Sequence, residues 1–362
     1  MNIKSLLLGS AAALAAVSGA QAADAIVAAE PEPMEYVRVC DAFGTGYFYI
    51  PGTETCLKVG GRVRFDANYG NVYKTNRAGE GTFTNTRAEL YVSSASDTEW
   101  GALKTNMTAR FDYNPHNTAS YPDATRTRLM VATIDIGGFT FGLQDSLYEQ
   151  LLGYAGNVIN DDVINYGPSE VNQIAYTYKA DALTAFISLE DDGQNKRDTL
   201  AYVPDHHNSD APNVAAGIKF DNGTFMAGVT AGYDESMEEG AVKARIGYKT
   251  GAFNLFLMGG WNTDGDTYNN YAPGSNYGDA TIGWGDWALW TGGGYKFSSK
   301  LAMNAQVAYT DSKVFEATAN LAWTPAAGFL IQPEVTYVNI DDVPGKGEQD
   351  RWEGIVRFQR TF

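Results

Sequence analysis

The sequence predicts an all-β chain, a transmembrane antiparallel β-barrel of about sixteen strands, and three observations carry that expectation. Segments in which apolar and polar residues alternate with period two come in pairs from Leu57 to the end of the chain. The connections between them alternate between tight turns and long polar loops. The chain also ends on an aromatic residue, Phe362, which stands in the apolar row of its own strand with Phe358, Val356 and Trp352, while Gln359, Arg357 and Glu353 fall between them. An apolar terminus gains little in water, where chain ends fray; against lipid it is buried.

At the amino end, Lys4, an apolar run from Ser5 to Val17 and the small-x-small triplet Ala20-Gln21-Ala22 form a secretory signal peptide over residues 1–22, with cleavage between Ala22 and Ala23. Loss of Lys4 takes the formal charge from -17 to -18. An exported, acidic chain argues against a nucleic-acid partner. Beyond the signal there is no apolar run of about 18 residues, so helical membrane spans are excluded. Aromatic residues reach 13%, glycines number 39 against 12 prolines, and mean hydropathy is negative. A barrel shows lipid only alternate residues, so its average looks water-soluble. A large extracellular β-protein shares this composition, which therefore does not separate the two.

Ala23 to Glu35 reads as a short acidic leader. Cys40 and Cys56 follow, and in an oxidising compartment two such thiols are expected to form a disulfide. Closing that loop restricts the unfolded chain by roughly 3 kcal/mol in the chain-entropy account. Their spacing fits neither a Cys-x-x-Cys pair nor a zinc site. Within the loop, Tyr47 to Ile50 is a short strand candidate. The expected organisation is signal peptide 1–22, periplasmic leader with disulfide loop 23–56, and barrel 57–362.

The strands follow in order. Leu57, Val59, Val63, Phe65 and Tyr69 form one row, with Lys58, Arg62, Arg64 and Asp66 opposite; Ala88, Leu90 and Val92 oppose Arg87 and Glu89. Leu103, Met107, Phe111 and Tyr113 alternate with Lys104, Asn106, Arg110 and Asp112. Met130 to Ile136 meets Phe139 to Leu143 across Gly137-Gly138, a two-residue hairpin signal because primed turns need positive φ. Further pairs turn at Ala180-Asp181, Asp221 to Gly223, Thr250-Gly251, Ser298 to Lys300 and Pro325 to Gly328, and Trp352 to Phe362 closes the series by pairing with Leu57 to Tyr69. The long connections run about Gly70–Asn85, Asn114–Arg126, Asp145–Val171, Asp191–Pro212, Asn262–Gly285 and Ile340–Asp350, with shorter ones at Asp234–Gly240 and Asp311–Lys313. Segregated short periplasmic turns and long extracellular loops are the outer-membrane arrangement; a soluble sandwich has no reason for it.

Three blocks are more specific: Tyr36-Val37-Arg38-Val39-Cys40-Asp41-Ala42-Phe43-Gly44 with Gly46 to Leu57; Gly156-Asn157-Val158-Ile159-Asn160-Asp161-Asp162-Val163-Ile164; and Gly354-Ile355-Val356-Arg357-Phe358-Gln359-Arg360-Thr361-Phe362. They resemble the alphaproteobacterial general outer-membrane porins of Brucella and the rhizobia, over the whole chain. The resemblance implies a homotrimer of sixteen-stranded barrels in outer-membrane lipid and lipopolysaccharide. It also implies passive diffusion of ions and small hydrophilic solutes, a third loop folded into the pore, and a Phe-ended strand read by the barrel-assembly machinery.

The residues fit that mechanism. The Asp145–Val171 loop mixes Leu147, Leu151, Leu152, Tyr154, Val158, Ile159, Val163 and Ile164 with Glu149, Asp161 and Asp162. Apolar content of that order suits a loop packed inside a lumen, its acids at the narrowest point. Facing it stands a basic wall of Arg62, Arg64, Arg87, Lys104, Arg110 and Arg357. Acids against bases set a transverse field that orients dipolar solutes and makes crossing costly for apolar ones. The plain alternative is that these charges only hydrate the wall. His116, His206 and His207 lie in polar loops without a catalytic or metal-spaced constellation, so neither an enzyme nor a cofactor or metal site is expected. Two other readings stay open: a substrate-specific channel, and an adhesin or phage receptor using Asp191–Pro212 and Asn262–Gly285, where Tyr268, Tyr271 and Tyr277 sit.

Overall fold

A computed structural model describes residues 38–71, 80–114, 125–191, 201–202, 211–277, 280–343 and 347–362. The expected signal peptide 1–22, the expected leader 23–35 and the three histidines lie outside them. In chain order the elements are β1 (Phe48–Tyr49), β2 (Cys56–Asn71), β3 (Glu80–Thr98), β4 (Gly101–Tyr113), β5 (Thr125–Ile136), β6 (Phe139–Gln144), α1 (Leu147–Gln150), β7 (Val171–Ala180), β8 (Leu183–Glu190) and β9 (Ala201–Tyr202). Then come β10 (Asn213–Asp221), β11 (Phe225–Asp234), β12 (Glu239–Thr250), β13 (Phe253–Asn262), β14 (Gly274–Tyr277), β15 (Ala280–Ile282), β16 (Trp287–Lys296), β17 (Leu301–Thr310), β18 (Val314–Ala326), β19 (Phe329–Val343) and β20 (Gly347–Thr361).

Sixteen of these strands, all but β1, β9, β14 and β15, pair antiparallel with their neighbours into a closed ring. Closure falls where the alternation places it. β20 pairs with β2 from Arg62 opposite Thr361 to Gly70 opposite Glu353, and Phe362 exchanges backbone hydrogen bonds of 2.9 and 3.0 Å with Gly61. A closed ladder leaves no backbone N–H or C=O edge facing hydrocarbon, where each unpaired group would cost several kcal/mol.

The period-two pattern decides which row faces out. Val59, Val63, Phe65, Ile134, Phe141, Ile187, Leu257, Leu321, Val335 and Phe358 are all exposed, whereas Asp66, Glu89, Thr133, Gln173, Glu190 and Glu334 on the alternate rows are buried. A water-soluble protein does the reverse. Two aromatic bands edge the apolar belt. Phe220, Phe225, Tyr248, Phe253, Tyr295 and Trp323 stand near the short turns, and Tyr233, Trp261, Trp287, Tyr309 and Trp352 near the long loops, all exposed. Such girdles match the two membrane–water interfaces, where rings with one polar edge are most stable.

Two connections are shorter than the alternation predicts. β3 starts at Glu80 and β20 at Gly347, so strand pairing runs into segments whose sequence reads as loop. Residues such as Gly81, Thr82 and Thr84 carry no apolar row, yet they find ladder partners on Gly70, Tyr69 and Ala67 because β2 continues opposite them. The turn at Gly137-Gly138 forms as expected, both glycines at positive φ.

Cys40 and Cys56 are bonded and buried. β1 lies inside that loop and pairs with the start of β2 through Phe48 opposite Leu57 and Tyr49 opposite Cys56. Cys56 is opposite Ala95, close to the short turn after Thr98, so the disulfide loop belongs to the short-turn rim. Unreduced protein is therefore expected to show no reaction of Cys40 or Cys56 with a thiol reagent; labelling at either position would contradict the bond.

Candidate functional site

The 26 residues between β6 and β7 fold across the lumen instead of standing above it. Ser146 caps α1 by accepting from the Tyr148 N–H at 3.1 Å, and its hydroxyl donates to Glu190 at 2.7 Å. Leu151 and Leu152 then pack inward against β10 and β11. Arg245 of β12 donates to the carbonyls of Leu152, Gly153 and Tyr154 at 2.9, 3.2 and 2.7 Å. The loop tip reaches the far wall. Asn320 and Gln332 donate to the Asn157 carbonyl at 2.9 and 3.3 Å, and the buried Glu334 carboxylate of β19 accepts the Ile159 and Asn160 N–H groups at 2.5 and 2.8 Å. Asn160 also donates to Thr336 at 3.1 Å and to Glu353 at 3.2 Å. On the return, Trp290, Trp284 and Lys243 donate to the carbonyls of Ile164, Asn165 and Tyr166 at 3.3, 2.8 and 2.8 Å. The wall thus supplies the partners that a loop without its own ladder needs.

A second connection, between β13 and β16, folds inward as well and braces the first. Tyr271 is 0% exposed, stacks edge-on with Tyr148 at 5.1 Å, and donates to Glu190 at 3.1 Å. Asn165 reaches Ser275 at 2.9 Å. Space for these rings comes from glycines on the inward rows: a Cβ at Gly232 would stand 2.2 Å from the Tyr271 ring, and one at Gly260 2.5 Å from Trp284. The adhesin or receptor alternative needs Tyr271, in the Asn262–Gly285 connection, at an extracellular surface. The structure buries it, and Tyr268 ties its hydroxyl to the Thr281 carbonyl at 2.9 Å. Tyr271 therefore presents nothing to an external partner.

Between the loop tip and strands β2, β3, β4 and β20 lies a cavity of about 700 Å³. It brings together Arg62, Arg64, Arg87, Arg110 and Arg357 on one side with Glu149, Asp161 and Asp162 on the other. Lys104 is placed elsewhere. It stands six positions before Arg110 on β4, about 20 Å along the strand, and lines a different cavity near the short turns. Alternation assigned its row correctly but says nothing of height.

The arginines are held by wall carboxylates. Glu89 binds Arg62 at 2.6 Å and Arg110 at 2.7 Å and accepts from Tyr91 at 2.6 Å; Arg357 grips Asp66 through two bonds of 2.8 and 3.0 Å; Arg64 lies 3.3 Å from Asp66 and Arg87 2.5 Å from Asp112. Register makes these pairs, since Arg62 faces Glu89, which faces Arg110, while Asp66 faces Arg357 and Arg87 faces Asp112. Opposite charges on paired strands fix the guanidinium heads. Arg128 pairs similarly with Glu170 at the base of the loop.

The three loop acids differ. Asp161 and Asp162 are half-buried. Glu149, on α1, is 4% exposed; burial pushes its carboxyl well above the usual range, the Asp145 carboxylate adds to this, and Lys243 opposes it. Lys243 itself is 0% exposed, its ammonium 4.5 Å over the Tyr148 ring. Among the described residues the cavity carries five arginines and five carboxylates, the latter being Glu149, Asp161, Asp162, Asp66 and Glu353. Glu89 and Asp112, bonded to these arginines, add two more carboxylates at the wall, so the arginines are paired at their strands while the loop acids face them from the other side.

A closed sixteen-strand barrel with an apolar, aromatic-edged outer belt and a polar lumen crossed by a loop is a water-filled channel of an outer membrane. The chain belongs to the Porin subfamily, whose family model matches residues 24–355. It is similar to Porin Omp2b of Brucella canis and of Brucella abortus, in each case 43% identical over 373 residues that cover 100% of both chains. Among solved structures it is similar to the outer membrane channel DcaP of Acinetobacter baumannii (17% identity, TM-score 0.65, covering 87% of this chain and 99% of that one). It is also similar to an anion-selective porin from Comamonas acidovorans (13%, TM-score 0.56, 85% and 100%). These two distant likenesses speak to the fold alone. Family and relatives make the chain an outer-membrane porin, a channel for passive diffusion of ions and small hydrophilic solutes.

Proposed function

We propose that the size limit and ion preference of this channel are set where the tip of the Asp145–Val171 loop meets the arginine wall. The observation that carries the reading is the single cavity lined by Asp161 and Asp162 on one side and by Arg62, Arg64, Arg87, Arg110 and Arg357 on the other. A dipolar solute aligns with such a field, and an apolar one must displace oriented water. Glu149 lines the same cavity but is buried, and burial pushes its carboxyl well above the ordinary range.

The same reading makes the protein a passive conduit and not an enzyme, working as a homotrimer whose outer leaflet contacts are with lipopolysaccharide. Its signal peptide is removed between Ala22 and Ala23, and the terminal strand carrying Phe362 is the element read by the barrel-assembly machinery. Recording in planar bilayers tests the conduit. Conductance is expected to rise without saturation as salt is raised, in insertion events of three equal steps; saturation, with block by a sugar or peptide, would instead mark a substrate-specific channel.

A further inference from the structure

Below the third loop, at the short-turn rim, a second cavity of about 710 Å³ opens, lined from β4, β5, β6, β7, β8 and β10 and roofed by Leu147, Gln150 and Leu151. Its titratable residues are Lys104, Lys179, Lys219 and Asp135. Lys179, Thr184 and Lys219 occupy one cross-strand row, and Lys104, Asp135 and Thr140 another. Asp135 is satisfied by neutral donors: Thr140 at 2.6 Å, Asn106 at 2.9 Å and Thr133 at 3.2 Å. None of the three ammonium groups is in an ion pair among the described residues.

This differs from the constriction, where the arginines have carboxylates on neighbouring strands. Here the lining holds a formal excess of two positive charges in a polar recess, with Thr184 between Lys179 and Lys219 in their cross-strand row and Thr177 also in the lining. Lysines in a polar recess act as point charges for anions, and hydroxyl donors add hydrogen bonds to oxygen ligands. We propose that this short-turn vestibule is a binding site for small oxyanions carrying two negative charges, entered from the periplasmic side. The site rests on the channel reading above and gives the pore an electrical asymmetry that the constriction, where the arginines have carboxylate partners, does not.

Inorganic phosphate is the probe. With the porin in a planar bilayer at about 0.1 M salt, where exposed charges still act over about 10 Å, phosphate is added to one side and then the other. It is expected to reduce current at lower concentration from one side, and Lys104→Gln/Lys179→Gln/Lys219→Gln to remove the difference between sides. Lys219→Gln alone, should the triple variant fail to assemble, is expected to raise the half-blocking concentration roughly fivefold, the factor for one charge pair about 4 Å apart in water. Equal block from both sides in the wild type, or unchanged sidedness in the variants, would overturn the site while leaving a conducting channel in place; absence of any conductance would instead defeat the channel reading.

Discussion

Replacement of Glu334 by Ala should release the tip of the third loop. Its carboxylate is buried and accepts the backbone N–H groups of Ile159 and Asn160 and the side-chain amide of Asn320 at 2.9 Å. Hydrogen bonds to a charged group contribute about 2 kcal/mol each, and removal of the acceptor strands buried donors at a similar cost apiece. The remaining tip contacts, from Asn320, Gln332 and Asn160, are between neutral groups, apart from the bond of Asn160 to Glu353. Arg245 and Trp284 still hold the loop's two limbs. The expected channel is folded but noisy, with transitions between conductance levels absent from the wild type, and it admits larger sugars in a liposome-swelling assay. Quiet, unchanged conductance would show that the latch does not hold the tip.

Conversion of both Asp161 and Asp162 to Asn should move the zero-current potential toward anions. The double variant takes two negative charges from the side of the cavity opposite the arginines, leaving five guanidinium groups with the wall carboxylates Asp66, Glu89, Asp112 and Glu353 and the buried Glu149. One carboxylate about 4 Å from a passing cation contributes on the order of 1 kcal/mol in water, or roughly a fivefold change in local partition. Two such losses make a large shift in the ratio of cation to anion permeability. Glu149→Gln should move it less, because Glu149 is buried and burial pushes its carboxyl well above the ordinary range, disfavouring the charged form. By the same sign, ionising Glu149 is disfavoured in the folded loop, so Gln there removes a destabilisation that grows as pH rises from the ordinary carboxylate range. A potential unmoved by the Asp161 and Asp162 changes would mean that the loop acids do not face the ion path.

Much of this architecture is legible locally. Alternation is a two-residue pattern, so Val63 and Phe65 against Arg62, Arg64 and Asp66 reveal both faces of β2 without knowledge of its neighbours. The closing pair of β20 with β2 follows from Phe362 standing in the outward row. The inward folding of the third loop follows from its apolar residues, which have no use in water. What alternation does not contain is register and height. Glu89 and Asp112 sit in the polar row of the sequence, but only strand pairing shows that they clamp Arg62, Arg110 and Arg87. Lys104 shares that row and yet lies far down the strand from Arg110. Lys243, Arg245 and Glu334 are isolated polar residues in unremarkable strands, and their function as anchors depends on contacts with a loop some 80 to 180 positions away. Tyr271 misleads for the opposite reason, since an aromatic in a polar, Gly-rich loop reads as surface until the inward glycine that accommodates it, Gly232, is placed beneath it.

The central claim is that the loop between β6 and β7 is the narrowest part of the conduction path. Single-channel conductance of a variant lacking Leu151 to Ile164 tests it most directly. The deletion removes Asp161 and Asp162, the tip and the contacts with β19, keeps the buried Glu149, and leaves the arginine wall, whose partners Glu89, Asp66 and Asp112 lie on the strands themselves. Conductance clearly above the wild type, with larger sugars admitted, is the predicted result; a conductance equal to or below the wild type from a correctly assembled barrel would contradict it.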